Sequence, residues 1–250
     1  MGIQNEKVAL LVIIVCLASA AGSEARPDPV DLAPTPLRNY GIGFEKAEKI
    51  GFGLLPSAED LTLDREKKSF FTGCEDGWIK RVWIDGKVGR HRVENWTFVG
   101  GRPLGAVLGL NEEIIVCELS QGLLNVTKDK VEVLSSEAGE SKFTGTNGVD
   151  ISKDGIIYFT DSNLGMLIRY NPSTSTSTVL LTELVYPNGV ALSAKQDFLV
   201  ICETYSLRCL KYWLTGEKSG KLETFAENLP AYPDNVRLDE EGIFWIGLLG

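Results

Sequence analysis

A polar step of asparagine, or of aspartate followed by asparagine, precedes three short apolar segments of this 250-residue chain. The steps are Asn147, Asn188 and Asp234-Asn235, and the asparagines lie 41 and 47 residues apart. Glu59 occupies the same phase before an earlier apolar segment. Carboxylate and amide oxygens suit calcium, which takes six to eight oxygen ligands at about 2.3–2.6 Å. These five side chains are therefore candidate metal ligands.

The spacing of the steps indicates which architecture could bring them together. A repeat of about 40–50 residues, built from four short strands, is typical of a β-propeller blade. A residue that recurs at the same point of successive blades faces the central channel, so we expect the five side chains to meet there and to hold calcium. Magnesium fits less well, because it requires tighter octahedral geometry. The alternative is that Asn-Gly and Asp-Asn only form turns between blades.

Strand-like runs repeat in the same order along the chain. Each unit carries β-branched and aromatic runs separated by turn residues, and no 3.6-residue period persists. The second runs are residues 69–73, 113–117, 156–160, 198–202 and 243–247. The Ser/Thr run from Ser173 to Thr178 is interpreted as an exposed turn before a strand at 179–181. The predicted fold is an all-β propeller in which the chain ends within the fifth blade, before the ring is closed.

Composition favours one domain with a substantial core and argues against nucleic acid as a partner. Hydrophobic residues make up 44% of the chain, and the formal net charge is −9. This length suits one all-β domain. An acidic chain offers no basic stripe to replace the counterions of a nucleic acid, and its charge serves solubility. The expected partner is a small-molecule substrate or ligand.

The first 21 residues have the features of a secretory signal peptide. Lys7 precedes an apolar run of 14 residues from Val8 to Ala21, and Ala18-Ser19-Ala20 is a small-residue cleavage pattern. The run is shorter than the roughly 20 residues that span a bilayer. An uncleaved anchor is the alternative, and membrane contact is expected only in that case. Residues 22–43 form an extended, proline-rich lead-in, and residues 44–250 form the propeller.

A secretory route permits disulfides and N-glycosylation. Cys202 and Cys209 flank a predicted turn and could pair across two strands, although buried free thiols are equally compatible with such strands. Sequons place glycosylation at Asn95 and Asn125, and Asn95 has the more polar surroundings. No Cys/His spacing suggests zinc.

Several motifs resemble the strictosidine synthase-like family of plants, which is similar to animal adipocyte plasma membrane-associated proteins and, more distantly, to paraoxonases. The motifs are residues 56–61, 71–80, 101–105, 146–150, 157–161, 187–193 and 232–236. The resemblance implies a six-bladed propeller in the secretory pathway, in the vacuole, the cell exterior or the endomembrane system. Paraoxonases hold a channel calcium with a glutamate, two asparagines and an Asp-Asn pair. The matching positions here are Glu59, Asn147, Asn188, Asp234 and Asn235.

Departures from these relatives leave three functions open. The resemblance favours a calcium-dependent hydrolase of lactones or esters, but the histidine pair of paraoxonases has no match, and His91 is the one histidine. The sequence identifies no catalytic residue; Asp150 and Glu75 are the carboxylates considered as a general base. A non-catalytic binding propeller ranks second. Strictosidine synthase activity, the condensation of an amine with an aldehyde, ranks third, because strictosidine synthase carries its catalytic glutamate in a sixth blade beyond the end of this sequence.

Overall fold

The computed structural model describes residues 50–84 and 91–249, which form antiparallel sheets joined by tight turns. The predicted signal peptide, the lead-in and the first residues of the predicted domain lie outside the described residues. Within the described ranges no α-helix occurs, and hence no helix long and apolar enough to cross a membrane. A 3-10 turn spans Thr204–Ser206.

Four sheets of four strands follow one another along the chain, each ordered as its strands occur. The first sheet contains β1 (Leu61–Leu63), β2 (Ser69–Gly73), β3 (Trp78–Trp83) and β4 (Val93–Phe98). The second contains β5 (Pro103–Leu108), β6 (Ile114–Glu118), β7 (Gly122–Val126) and β8 (Val131–Ser135). A small hairpin follows, with β9 (Glu137–Ala138) and β10 (Ser141–Lys142).

The third sheet contains β11 (Thr146–Ile151), β12 (Ile157–Asp161), β13 (Met166–Asn171) and β14 (Thr176–Leu181). The fourth contains β15 (Pro187–Leu192), β16 (Phe198–Glu203), β17 (Arg208–Trp213) and β18 (Leu222–Ala226). The fifth sheet has two described strands, β19 (Tyr232–Leu238) and β20 (Phe244–Leu249).

The first strand of each sheet lies innermost, beside the first strand of the next sheet. β1 contacts β5, β5 contacts β11, β11 contacts β15, and β15 contacts β19. Side chains of the fifth sheet reach the start of the first sheet, from Asn235 to Glu59 and from Arg237 to Asp60, across the channel that these strands surround. The predicted β-propeller is therefore confirmed.

The core lies between successive sheets, which explains why the second strand of a sheet is apolar on both faces. In β6, Ile114 and Val116 pack against the first sheet, whereas Ile115 and Cys117 pack against the third. β12 and β16 divide their side chains between two clusters in the same way. Side chains alternate along a strand, so a slip of one residue would exchange the two packed faces. The register, and with it the position of each inner strand, is fixed by this packing.

The Ser/Thr-rich segment differs from its prediction. β14 begins at Thr176, so the second half of the predicted turn belongs to the outermost strand of the third sheet, where residues 176–178 pair with β13. An outermost strand has a solvent-facing side, so hydroxyl side chains are compatible with a strand there.

Candidate metal centre in the channel

A β-bulge lies near the start of the inner strands, at the recurring polar step. The pairing register shifts at 146–149 in β11, at 187–190 in β15 and at 233–236 in β19. A bulge adds a residue and takes side chains out of the alternating pattern. The predicted ligands within these bulges are Asn147, Asn188, Asp234 and Asn235. The Asn-Gly steps thus lie inside strands, contrary to the alternative that they only form turns between blades.

Glycines beside the candidate ligands let the inner strands approach each other closely. A Cβ atom on Gly148 would lie 2.4 Å from the carbonyl oxygen of Asn188, and one on Gly189 would lie 2.6 Å from that of Asp234. Both distances are shorter than real Cβ contacts, so any side chain at these positions would push neighbouring strands apart. The glycine of each Asn-Gly step therefore sets the distance between blades.

Two hydrogen bonds join four of the five predicted ligands. Asn188 Nδ2 donates to Asp234 Oδ1 at 2.5 Å, and Asn235 Nδ2 donates to Glu59 Oε1 at 3.2 Å. When the carboxylates are ionised, as they would be beside a cation, they can only accept hydrogen bonds, so each amide turns its nitrogen toward the acid. The fifth ligand, Asn147, lies on β11, the inner strand beside β15.

Ser162 fixes the orientation of the Asn147 amide. Its hydroxyl donates to the Pro187 carbonyl oxygen at 2.7 Å, and Asn147 Nδ2 lies 3.1 Å from the same hydroxyl oxygen. Because a serine hydroxyl has one proton, Ser162 can only accept from Asn147. The amide oxygen of Asn147 consequently points away from Ser162.

Four oxygens of the candidate ligands are buried and have no hydrogen-bond partner among the described residues. They are Glu59 Oε2, Asn147 Oδ1, Asn188 Oδ1 and Asn235 Oδ1. Leaving one buried acceptor unpaired costs about 1–3 kcal/mol. A hard cation would satisfy several such oxygens at once, and carboxylate and amide donors fit calcium. In the described ranges no group of three or more His, Cys, Asp or Glu could hold a metal, so the amides are essential to this candidate.

Without a cation, ionisation of the two carboxylates among the candidate ligands, Glu59 and Asp234, is unfavourable. Burial raises the pKa of Glu59 well above its usual range, and the charges of Asp234 and Asp60 raise it further. Burial also raises the pKa of Asp234 to about 6, against the hydrogen bond from Asn188, which lowers it. A divalent cation would reverse this balance, because it favours the ionised form of both acids.

Arg237 is a channel residue that the sequence analysis did not single out. Its guanidinium forms an ion pair with Asp60 and donates to the Ala106 carbonyl oxygen at 3.1 Å. Arg237 follows Asn235 by two residues on the same strand. Residues two apart on a strand share a face, so this spacing could have identified Arg237 as a channel residue.

Three buried carboxylates at the ends of second strands were also missed. They are Glu118, Asp161 and Glu203, 43 and 42 residues apart. Asp161 accepts the backbone N–H groups of Thr144, Gly145 and Leu164, so it holds the segment that leads into β11. Their regular spacing could have identified them, and their contacts give them a structural role.

The carboxylates considered as a general base are engaged elsewhere. Asp150 accepts the backbone N–H groups of Ile151 at 2.8 Å and Leu192 at 2.7 Å, and therefore braces two inner strands. Glu75 accepts the Ser57 hydroxyl at 2.6 Å. His91 lies two residues before β4, the outermost strand of the first sheet. None of these residues is assigned a catalytic role.

The structure also locates the other predicted sites. Cys202 and Cys209 face each other across β16 and β17 and are joined as a disulfide. Asn95 is exposed on β4, whereas Asn125 on β7 is partly buried. Glycosylation of both asparagines stays a prediction.

Three tyrosines cluster at the end of the channel where the candidate ligands lie. The rings of Tyr186 and Tyr205 are 4.6 Å apart, and those of Tyr205 and Tyr232 are 6.4 Å apart and edge-on. Tyr186 and Tyr232 each precede a proline and then a candidate ligand. Tyr186 adopts a left-handed backbone with φ of 52°, which is unusual for a bulky residue. Its carbonyl oxygen accepts the Thr204 N–H at 3.1 Å, which holds this conformation.

The comparisons with known proteins agree with the predicted relationship. A family model described as strictosidine synthase matches residues 160–217. Strictosidine synthase-like 7 of Arabidopsis thaliana is 39% identical over 221 residues, which cover 81% of this chain and 59% of the relative. These matches support the strictosidine synthase-like family for this chain. The human adipocyte plasma membrane-associated protein is 34% identical over 209 residues, which cover 71% of this chain and 50% of that protein. The chain thus spans about three fifths or less of these relatives' length.

Solved structures support the fold of this strictosidine synthase-like chain. A gluconolactonase from Xanthomonas campestris has a TM-score of 0.67 at 17% identity, covering 76% of this chain and 69% of that one. A chain from a nidogen/laminin complex has a TM-score of 0.63 at 16% identity, covering 77% and 72%. At these identities the likeness shows the architecture alone, and an enzyme and a binding complex share it.

Proposed function

We propose that this protein is a calcium-dependent hydrolase of lactone or ester substrates that works in the secretory pathway. The observation that carries the proposal is the set of four buried, unpartnered oxygens on Glu59, Asn147, Asn188 and Asn235. Calcium bound there would polarise a substrate carbonyl and stabilise the negative charge that develops on its oxygen. Glu59 and Asp234 would balance the charge of the cation.

The chain's own contacts would preorganise such a site. Ser162 holds the Asn147 amide, and Asp234 holds the Asn188 amide, so both oxygens are set before any ligand arrives. Groups fixed in advance need no reorganisation during the reaction. The tyrosine cluster lies at the same end of the channel and would contact the acyl or leaving group of a substrate.

The test is ester hydrolysis by the secreted protein in calcium and in chelator, with phenyl acetate and a γ-lactone as substrates. We expect chelation to abolish turnover and calcium to restore it. Asn188→Ala should lower kcat/KM at least about tenfold, because loss of a metal-site group costs on the order of 10–100-fold. Asn111→Ala is the matched control, since Asn111 is exposed in the β5–β6 turn. Equal activity of both variants would contradict the proposal.

A non-catalytic binding propeller is the second candidate, and one observation favours it. No histidine lies beside the candidate centre in the described residues, and the carboxylates considered as bases are engaged in other contacts. Protein that binds calcium but hydrolyses no member of an ester and lactone panel would support this function over the hydrolase.

A further inference from the structure

Arg237 carries a positive charge from the fifth sheet into the channel. Its side chain forms an ion pair with Asp60, which is 4% exposed, and a hydrogen bond of 3.1 Å with the Ala106 carbonyl oxygen. Asp60 directly precedes β1, and Ala106 lies in β5. One side chain therefore ties the fifth sheet to the first and second sheets.

The groups that surround the guanidinium are oxygen donors from several inner strands. Asp60 also accepts the backbone N–H groups of Leu61 at 2.8 Å and Ala106 at 3.0 Å, so its carboxylate cannot turn away. Asp150 on β11 is the second carboxylate. Burial raises the pKa of Asp150, and the charge of Arg237 is near enough to lower it. The guanidinium thus contacts one buried acid, Asp60, and the carbonyl oxygens of Ala106 and Val236, and its charge also acts on the buried Asp150.

We infer that Arg237 is a tethered cation that occupies a second hard-cation position in the channel. Two carboxylates and a carbonyl oxygen are donors that a calcium ion would otherwise take. The position lies two residues beyond Asn235 along β19, roughly 7 Å at the rise of a strand. Because the guanidinium is part of the chain, this region stays neutralised when calcium is scarce, while the centre at Glu59 and Asn188 can load and unload.

The inference does not depend on hydrolysis or on calcium at the first centre, and its test counts bound calcium. Arg237→Met removes the charge and keeps much of the side-chain volume, whereas Arg237→Lys retains a cation. We expect Arg237→Met to bind one more calcium ion per chain than the parent, and Arg237→Lys to bind the same number as the parent. In the Asn188→Ala background, which impairs the first centre, the additional ion should persist.

A parent protein that binds no calcium would contradict the first centre alone, since Arg237→Met should still gain one ion. A folded Arg237→Met variant whose calcium count equals that of the parent would overturn the inference. The titration should reach about 10 mM calcium, above the 10⁻⁴–10⁻³ M range of weak extracellular sites.

A second variant covers the case in which Arg237→Met does not fold. Removing one partner of a buried ion pair leaves an uncompensated charge, and removing both does not. We therefore expect Asp60→Asn/Arg237→Met to melt at a higher temperature in chelator than Arg237→Met alone, and to bind no additional calcium. A double variant no more stable than the single one would mean that Arg237 does not act by neutralising Asp60, and the inference would fail.

Discussion

At the scale of single residues, the candidate centre is defined by amide side chains in which the nitrogen has a hydrogen-bond partner and the oxygen has none. Asn147, Asn188 and Asn235 each donate through nitrogen to a fixed acceptor and leave a buried oxygen unpaired. The sequence predicted the residue types and their meeting place from recurrence alone. It could not predict the orientation of the Asn147 amide, because that depends on Ser162, which belongs to no repeated motif.

Asp234→Asn should have opposite effects with and without calcium. Burial raises the pKa of Asp234 from 3.8 to about 6, so its charge at neutral pH destabilises the metal-free fold. The difference corresponds to roughly 3 kcal/mol at most, at about 1.4 kcal/mol for each pKa unit. We expect the variant to melt higher than the parent in chelator and to gain less on adding calcium. Glu241→Gln, which removes an exposed charge from the same hairpin, should change neither melt.

The stabilisation by calcium should depend on pH. The raised pKa of Asp234 means that the folded, metal-free state holds more protons than the unfolded state between about pH 4 and 6, so its stability falls as pH rises through that window. Calcium needs the ionised acid, so its effect should grow in the opposite direction. Melts should show a large calcium shift near pH 7.5 and little shift near pH 5. A shift of equal size at both values would exclude Asp234 as a ligand.

At the scale of elements, bulges and glycines determine whether the ligands can meet. The sequence predicted strands from β-branched and aromatic runs separated by turn residues, and Gly155, with φ of 85°, lies in the turn between β11 and β12. It did not predict the bulges, because a bulge depends on how a strand pairs with its neighbour and not on the sequence of one strand. It also assigned part of β14 to a turn, because hydroxyl residues favour both turns and exposed outer strands.

Gly148→Ala should separate adjacent inner strands. Its new Cβ would lie 2.4 Å from the Asn188 carbonyl oxygen, and overpacking of this kind costs about 1–3 kcal/mol. We expect a lower free energy of unfolding and weaker calcium binding. Gly247→Ala is the matched control, because its Cβ would meet nothing closer than 3.5 Å. If the two variants unfold at the same denaturant concentration, close approach of β11 and β15 is not what Gly148 provides.

The tyrosine cluster should affect aromatic substrates selectively, if the proposed hydrolase activity is present. Tyr205 is 54% exposed, so Tyr205→Ala should fold normally. Loss of a ring contact worth about 0.5–1.5 kcal/mol predicts a fall in kcat/KM of up to about tenfold for phenyl acetate. Ethyl acetate, which lacks the ring, should be little affected. Phe98→Ala, an exposed aromatic substitution on the outermost strand β4, serves as the control.

At the scale of the whole molecule, the channel connects stability to ligand binding. Side chains of the first and fifth sheets, far apart in sequence, meet across it at Glu59 with Asn235 and at Asp60 with Arg237. The recurrence of motifs predicted the first contact. The second contact involves Arg237, two residues beyond Asn235, and recurrence of the motifs did not point to it because Arg237 belongs to no repeated step.

The most direct test of the account is a thermal melt of the secreted protein in calcium and in chelator at neutral pH. A ligand that binds only the folded state stabilises it by about 2.7 kcal/mol at a hundred times its dissociation constant. We predict one cooperative transition that moves to higher temperature as calcium rises, and a reduced movement for Asn188→Ala. A cooperative transition that is unchanged by calcium would contradict the metal centre, and with it the calcium-dependent hydrolase.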